Sequence, residues 1–174
     1  EFWSLGQQPV LAPGARRASR FGDGVAELRC EYAGIEAEMR IVVPTAADVE
    51  LRRVTLRNAS DRPRRIEWTS YAEVVLNARA ADAAHPAFSK LFVQTEWVVE
   101  QRALLARRRP RAAGEPVCWL VHALVGDEEA EPPQHETDRA RFIGRGYSRA
   151  APRALVKTSP LSGTVGNVLD PIVS

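Results

Sequence analysis

Cysteine, lysine and long apolar runs are all scarce in this chain. Only Cys30 and Cys118 occur in 174 residues. That is too few for a disulfide framework, and each lies in an apolar stretch, the setting of a buried thiol in a reducing compartment. No apolar run approaches the roughly 18 residues that a membrane-crossing helix needs, and no segment has the order of a signal peptide. Charge of one sign is lacking too, because 24 Lys and Arg face 22 Asp and Glu for a net charge of +2. That balance lacks the basic excess of a protein that grips nucleic-acid phosphates. The three histidines, His85, His122 and His135, are far apart and have no cysteine at metal-ligand spacing, so no metal site and no cofactor are expected. Phosphate-loop, dinucleotide-fingerprint, nucleophile-elbow and zinc-protease motifs are absent.

What is present is a period of two. Ala26, Leu28, Cys30 and Tyr32 alternate with Glu27, Arg29 and Glu31. After a turn at Gly34, Ile35, Ala37, Met39, Ile41 and Val43 alternate with Glu36, Glu38 and Arg40, which predicts a hairpin with one buried face. Residues 49–57 form a third strand whose apolar phase changes between Leu51 and Val54, through either two covered faces or a bulge. A turn at 58–63 leads to alternation at Ile66, Trp68, Ala72, Val74 and Leu76. Further strands are expected at 90–97, 103–107 and 117–125, the last apolar on both faces and therefore central in its sheet. With 12 prolines and 11 glycines, no apolar helical stripe accumulates. The chain reads as all-β, undivided by any repeat or linker, with its C-terminal edge cut short. Two irregular segments stand out, 77–89 and the acidic 126–134 with Asp127, Glu128, Glu129 and Glu131. Loops on a rigid sheet are where binding residues concentrate.

Most polar residues have an ordinary explanation. Glu36, Glu38, Glu67 and Glu73 read as surface rather than as a glycosidase pair. Arg107-Arg108-Arg109-Pro110-Arg111 reads as a solvated hairpin end, with no interleaved aromatics to make a nucleic-acid platform. Asn58-Ala59-Ser60 reads as a turn rather than a glycosylation site. Trp68 and Trp119 fall on buried phases; Trp3 and Trp97 remain open as core or as a sugar-stacking surface. Residues 134–146 bring Glu136, Asp138, Arg139, Arg141 and Arg145 around Phe142, which suits a structural ion-pair network or part of a site equally well.

Several motifs in one order carry a resemblance. Ser70-Tyr71-Ala72-Glu73-Val74-Val75-Leu76 is followed by Ala84-His85-Pro86-Ala87-Phe88-Ser89-Lys90-Leu91-Phe92-Val93-Gln94-Thr95-Glu96, then Glu136-Thr137-Asp138-Arg139-Ala140-Arg141-Phe142-Ile143-Gly144-Arg145-Gly146 and Pro160-Leu161-Ser162-Gly163-Thr164. From Trp3 onward the chain resembles the β-sandwich region of cyclic β-1,2-glucan synthases, within glycoside hydrolase family 94 and its cellobiose and chitobiose phosphorylases. The resemblance implies that residues 1–174 are one antiparallel β-supersandwich domain, galactose mutarotase-like, of a much larger multidomain protein in which an (α/α)6 catalytic barrel follows. The general acid of that family belongs to the barrel, so no catalytic residue is assigned here. The implied role is a noncatalytic module that contacts β-1,2-glucan or its oligosaccharides, or else a purely structural, barrel-packing and dimer-forming domain. The implied location is the cytoplasmic side of the bacterial inner membrane, with no membrane contact by this segment. In the phosphorylases a sandwich loop reaches sugar, and its positional match is Phe88-Ser89-Lys90, although the arginine and amides of that loop are missing here. His85, Phe88, Ser89, Lys90, Glu136, Asp138, Arg139 and Arg145 are the candidate sugar-contacting residues.

Overall fold

The computed structural model describes residues 1–126, 132–157 and 159–174. The chain divides into two compact units, Glu1–Glu67 and Trp68–Ser174.

The first unit is a four-stranded antiparallel sheet of β1 (Arg16–Gly22), β2 (Val25–Tyr32), β3 (Ile35–Val42) and β4 (Leu51–Asn58), in that order. Tyr32 pairs with Ile35 across Ala33 and Gly34, both at positive φ (50° and 78°), a two-residue turn whose twist matches the strands. Gly34 is required twice over, since a Cβ there would also lie 3.0 Å from the Ser60 Cβ. The alternation read from the sequence sorts the faces. Cys30 and Ala37 are buried with Leu5, while Leu28, Met39, Val54 and Trp3 pack around them. Trp3 meets Tyr32 edge-on at 5.9 Å. Arg17, on the same face, donates to the carbonyls of Ser4 and Gly6 at 3.2 Å each and ties the N-terminal segment onto the sheet.

On the other face, Arg16 meets Glu31, Arg29 meets Glu38 (2.9 Å), Arg57 meets Glu36 (2.8 Å) and Arg40 meets Glu27 (3.9 Å). Every pair sits directly opposite in the strand register. Exposed as they are, each contributes on the order of 0.5 kcal/mol. Glu36 and Glu38 are thus surface residues, as the alternation predicts. The phase change in the third strand is not a bulge, because β3 and β4 pair without interruption from Ile35↔Asn58 to Val42↔Leu51. Val54 faces the core, and Leu51 lies on the outer face, 58% exposed.

The second unit holds a meander of β6 (Val93–Val98), β7 (Ala103–Arg108) and β8 (Trp119–Ala123), and a short antiparallel pair, β5 (Ala72–Glu73) with β9 (Ile172–Val173). Val74, Val93, Leu104, Ala106 and Val173 form its buried core. A neighbouring cluster joins Phe142, Ile143 and Ile172, with Tyr71 and Leu161 against it. Short helices interrupt the strands: α1 (Arg79–Ala84), α2 (Pro86–Lys90), α3 (Arg139–Ile143) and α4 (Arg153–Val156). Antiparallel sheet dominates, and the all-β reading holds.

Four local expectations are corrected. Residues 77–89 are largely helical, as α1 and most of α2. Within 66–76 only Ala72–Glu73 joins a ladder, and Ile66 and Trp68 are 43% and 37% exposed. Strand 117–125 is not central: β8 is the last strand of its sheet, and the face that carries Trp119, Val121 and Ala123 is uncovered, with Trp119 53% exposed. Cys118, just before that edge, is exposed, whereas Cys30 is buried and its thiol is pushed above the ordinary value by burial. The acidic residues Asp127, Glu128, Glu129 and Glu131 lie outside the described residues.

Candidate functional site

His85 ends α1 and opens α2, where Pro86 takes the first turn that a proline tolerates. Its side chain is exposed and makes no cap hydrogen bond. Further along α2, Ser89 turns inward and is 3% exposed. Its hydroxyl accepts from Asn77 Nδ2 at 2.9 Å, and its carbonyl accepts from Arg108 Nη1 at 2.7 Å. Arg108 is therefore not part of a solvated hairpin end. It shares the inward phase of Leu104 and Ala106 on β7 and is 5% exposed, with its guanidinium 5.2 Å from the Phe92 ring. Phe88, half exposed, meets Phe92 edge-on, and Arg111 lies over both rings.

Lys90 points to Asp170, with Nζ 2.5 Å from Oδ1. The other Asp170 oxygen is 3.7 Å from Arg139 Nη1, and the Arg139 amide donates to the Asp170 carbonyl at 3.0 Å. Arg139 begins α3, whose start is capped by the Asp138 carboxylate accepting from the Ala140 amide at 2.8 Å. Arg139 Nε donates to Glu73 Oε1 at 3.1 Å, and the Tyr71 hydroxyl donates to the same oxygen at 3.1 Å. The result is a line of alternating charge, Lys90, Asp170, Arg139 and Glu73, ending on a phenol.

The titrations follow that geometry. Burial alone raises the Glu73 carboxyl, but hydrogen bonds from Arg139 and Tyr71 and the charges of Arg139 and Lys90 outweigh it, and the net shift is downward. Burial and the Glu73 charge push Tyr71 up to about 12. Burial opposes the Arg139 charge, yet its bonds to Glu73 and Tyr71 leave it raised.

Glu136 is 1% exposed. One oxygen accepts from the amides of Thr137 (3.0 Å) and Asp138 (2.9 Å), and the other accepts from the Ser162 hydroxyl. Beside it, Thr137 and Thr95 share a buried hydroxyl hydrogen bond of 2.7 Å. His135 stacks on Trp97, ring centroids 4.3 Å apart, which places Trp97 against a side chain of this unit. Burial lowers the His135 pKa, with Glu136 and a Gly163 backbone hydrogen bond acting the other way. A lowered imidazole pKa means stability that is full above the ordinary value of 6.5 and lost as the pH falls through the lower folded value. His135→Phe, which keeps a ring on Trp97, is therefore expected to lose less Tm than the wild type between about pH 7 and pH 5. An equal loss in both proteins would remove His135 as a source of acid sensitivity.

The eight nominated residues thus do not form one groove. Lys90 and Arg139 converge on Asp170, and Glu136 and Asp138 join through a backbone amide. Ser89 belongs with Arg108, and Phe88 with Arg111. His85 and Arg145 are exposed, and Arg145 makes no ion pair among the described residues. Within residues 134–146, Asp138, Arg139 and Arg141 form ion pairs and Glu136 hydrogen-bonds the Asp138 amide, and Tyr71, Glu73 and Asp170, distant in sequence, join them. Surface placement of Glu73 is right as to exposure but omits its pairing with Arg139. Among the described residues, no group of three His, Cys, Asp or Glu side chains converges to hold a metal, and no helix is long and apolar enough to cross a membrane.

Comparison with known proteins places this framework. The chain is 40% identical, over its whole length, to the cyclic β-(1,2)-glucan synthase NdvB of Rhizobium meliloti (strain 1021), of which it spans 6%. It is 27% identical over 157 residues to a solabiose phosphorylase of Paenibacillus borealis, matching 90% of this chain and 19% of that protein. Over 99 residues it is 32% identical to an N,N'-diacetylchitobiose phosphorylase of Vibrio furnissii, matching 56% of this chain and 12% of that one. The chain thus spans a small part of each relative it matches. With the glycosyl hydrolase 94 supersandwich domain matching residues 1–174 throughout, and with antiparallel sheets observed in both units, the chain belongs to that domain family.

Proposed function

We propose that the chain is a noncatalytic module of a cyclic β-1,2-glucan synthase, supporting phosphorylase-type glycosyl transfer on β-1,2-glucan by an (α/α)6 barrel of the same protein. In that setting it lies on the cytoplasmic side of the bacterial inner membrane. Its similarity to a glucan synthase and to two disaccharide phosphorylases supports the carbohydrate context. One observation favours scaffolding over sugar contact at the candidate cluster: its charged groups Lys90, Asp170, Arg139 and Glu73 are already paired with one another. Ser89 and Glu136 are buried, and Lys90, Arg139, Asp170 and Glu73 neutralise each other. A sugar hydroxyl there would compete for donors and acceptors that the ion pairs already engage.

Lys90→Met in the intact protein tests this reading. It removes the charge, keeps the stem, and strands Asp170 beside a single cation. The expected result is a Tm lower by a few degrees with unchanged affinity for β-1,2-glucooligosaccharides and an unchanged product chain-length distribution. Weakened glucan affinity at an unaltered Tm would overturn scaffolding in favour of direct contact at Lys90. Sugar contact through the loop tip keeps one point of support, the exposed Phe88 ring with Arg111 above it.

A further inference from the structure

The outward face of the β6–β7–β8 meander carries a row of side chains that the candidate cluster does not use. The strand register sets Gln94 opposite Arg107 and Arg107 opposite Trp119, so an amide, a guanidinium and an indole lie side by side on three adjacent strands. Two strand spacings make that row roughly 10 Å long, the span of about two linked pyranose rings. Arg107 Nε donates to Gln94 Oε1 at 3.1 Å, and the guanidinium carbon sits 5.7 Å from the Trp119 ring centroid. The row lines a shallow cleft of about 310 Å³, with Leu105 in its floor and Glu96 in the next row.

From this geometry we infer that the cleft is a binding subsite for a neutral oligosaccharide, with the Trp119 face that the Arg107 guanidinium leaves uncovered as its stacking platform. An indole face is electron-rich and complements the polarised C–H groups of a pyranose face. Trp119 is 53% exposed in a concave surface, unlike a core tryptophan. Around it are the polar groups that vicinal hydroxyls need. The Gln94 amide nitrogen and the outer Arg107 nitrogens are donors, and Glu96 is an acceptor; the Arg107–Gln94 bond holds the first two in place. Glu96 disfavours an anionic ligand, and one arginine is too little charge for a nucleic-acid backbone. The subsite is separate from the Lys90, Asp170 and Arg139 network, and it rests on the proposed function only for the choice of glucan as probe.

The test is calorimetric titration of the intact protein with short linear β-1,2-glucooligosaccharides, with β-1,4-linked ones of equal length as a comparison. Trp119→Ala is expected to weaken β-1,2 binding at least tenfold, Trp119→Phe to retain most of it, and Gln94→Ala to weaken it severalfold, all with Tm close to wild type. Wild-type binding that all three variants leave intact would overturn the subsite while keeping the glucan reading. Absence of binding of either oligosaccharide to the wild type would overturn both the subsite and a sugar-contacting role, leaving the scaffold. Should Trp119→Ala fail to fold, Trp119→Phe and Gln94→Ala decide the matter: equal affinity in wild type and Gln94→Ala would overturn the row as a binding surface.

Discussion

Glu136→Ala is expected to destabilise the second unit by about 3 kcal/mol, a Tm loss of roughly 6–12 °C for a chain of this size. The carboxylate is buried, and its loss leaves the Asp138 amide without an acceptor and the Ser162 hydroxyl with the Thr164 hydroxyl, 3.0 Å away, in place of a charged acceptor. The Thr137 amide retains the Thr164 carbonyl at 3.2 Å, so the damage centres on the start of α3 and the 162–164 segment. Glu136→Gln keeps one acceptor oxygen and should cost about half as much. Denaturant unfolding of both variants measures the effect. A Glu136→Ala protein as stable as the wild type would show that the buried carboxylate does not organise this region.

Leu104→Ala is expected to cost a similar 2–5 kcal/mol, for a different reason. Leu104 is 2% exposed and lies where the three-stranded meander meets Val74 and Val173 of the β5–β9 region. Those layers come from distant parts of the chain, and this apolar contact joins them beside the polar links of Lys90 to Asp170 and of Thr95 to Thr137. Truncation opens a cavity there, so the expected signs are a lower unfolding midpoint and faster amide exchange at Ile172 and Val173. Leu91→Ala is the control: at 43% exposure it should stay within about 0.5 kcal/mol. Equal losses in the two variants would mean that Leu104 does not occupy the centre of that core.

The alternation from Ala26 to Val43 was sufficient to identify the β2–β3 hairpin and its buried face, because one covered side writes a period of two into the residues. The same rule fails at residues 117–125. Apolar residues on both phases do not distinguish a covered face from an open one, so the exposure of Trp119 is not legible there. Arg108 shows the opposite error: its phase with Leu104 and Ala106 pointed inward, yet its charge suggested solvent. Residues Glu136, Asp138 and Arg139 were legible as a charged cluster. Their partner Asp170 was not, since Lys90 and Asp170 are 80 residues apart and no spacing rule reaches that far. The wider assignment rested on motif resemblance, which carries information that periodicity does not.

The opposed Arg and Glu side chains of the first unit have a consequence larger than their small individual energies. Sliding β3 along β2 by two residues would keep every apolar side chain on its proper face, so burial alone does not forbid that misalignment. The native pairing sets Glu27 against Arg40, Arg29 against Glu38 and Glu31 against Glu36. One direction of sliding replaces these with Arg29 against Arg40 and Glu31 against Glu38; the other sets Glu27 against Glu38 but Arg29 against Glu36. Like charges directly across a ladder repel. The charges therefore reject one of the two wrong hairpins that hydrophobic patterning accepts and leave the other with fewer attractive pairs than the native one, so the two-residue turn at Ala33-Gly34 sets the alignment against it.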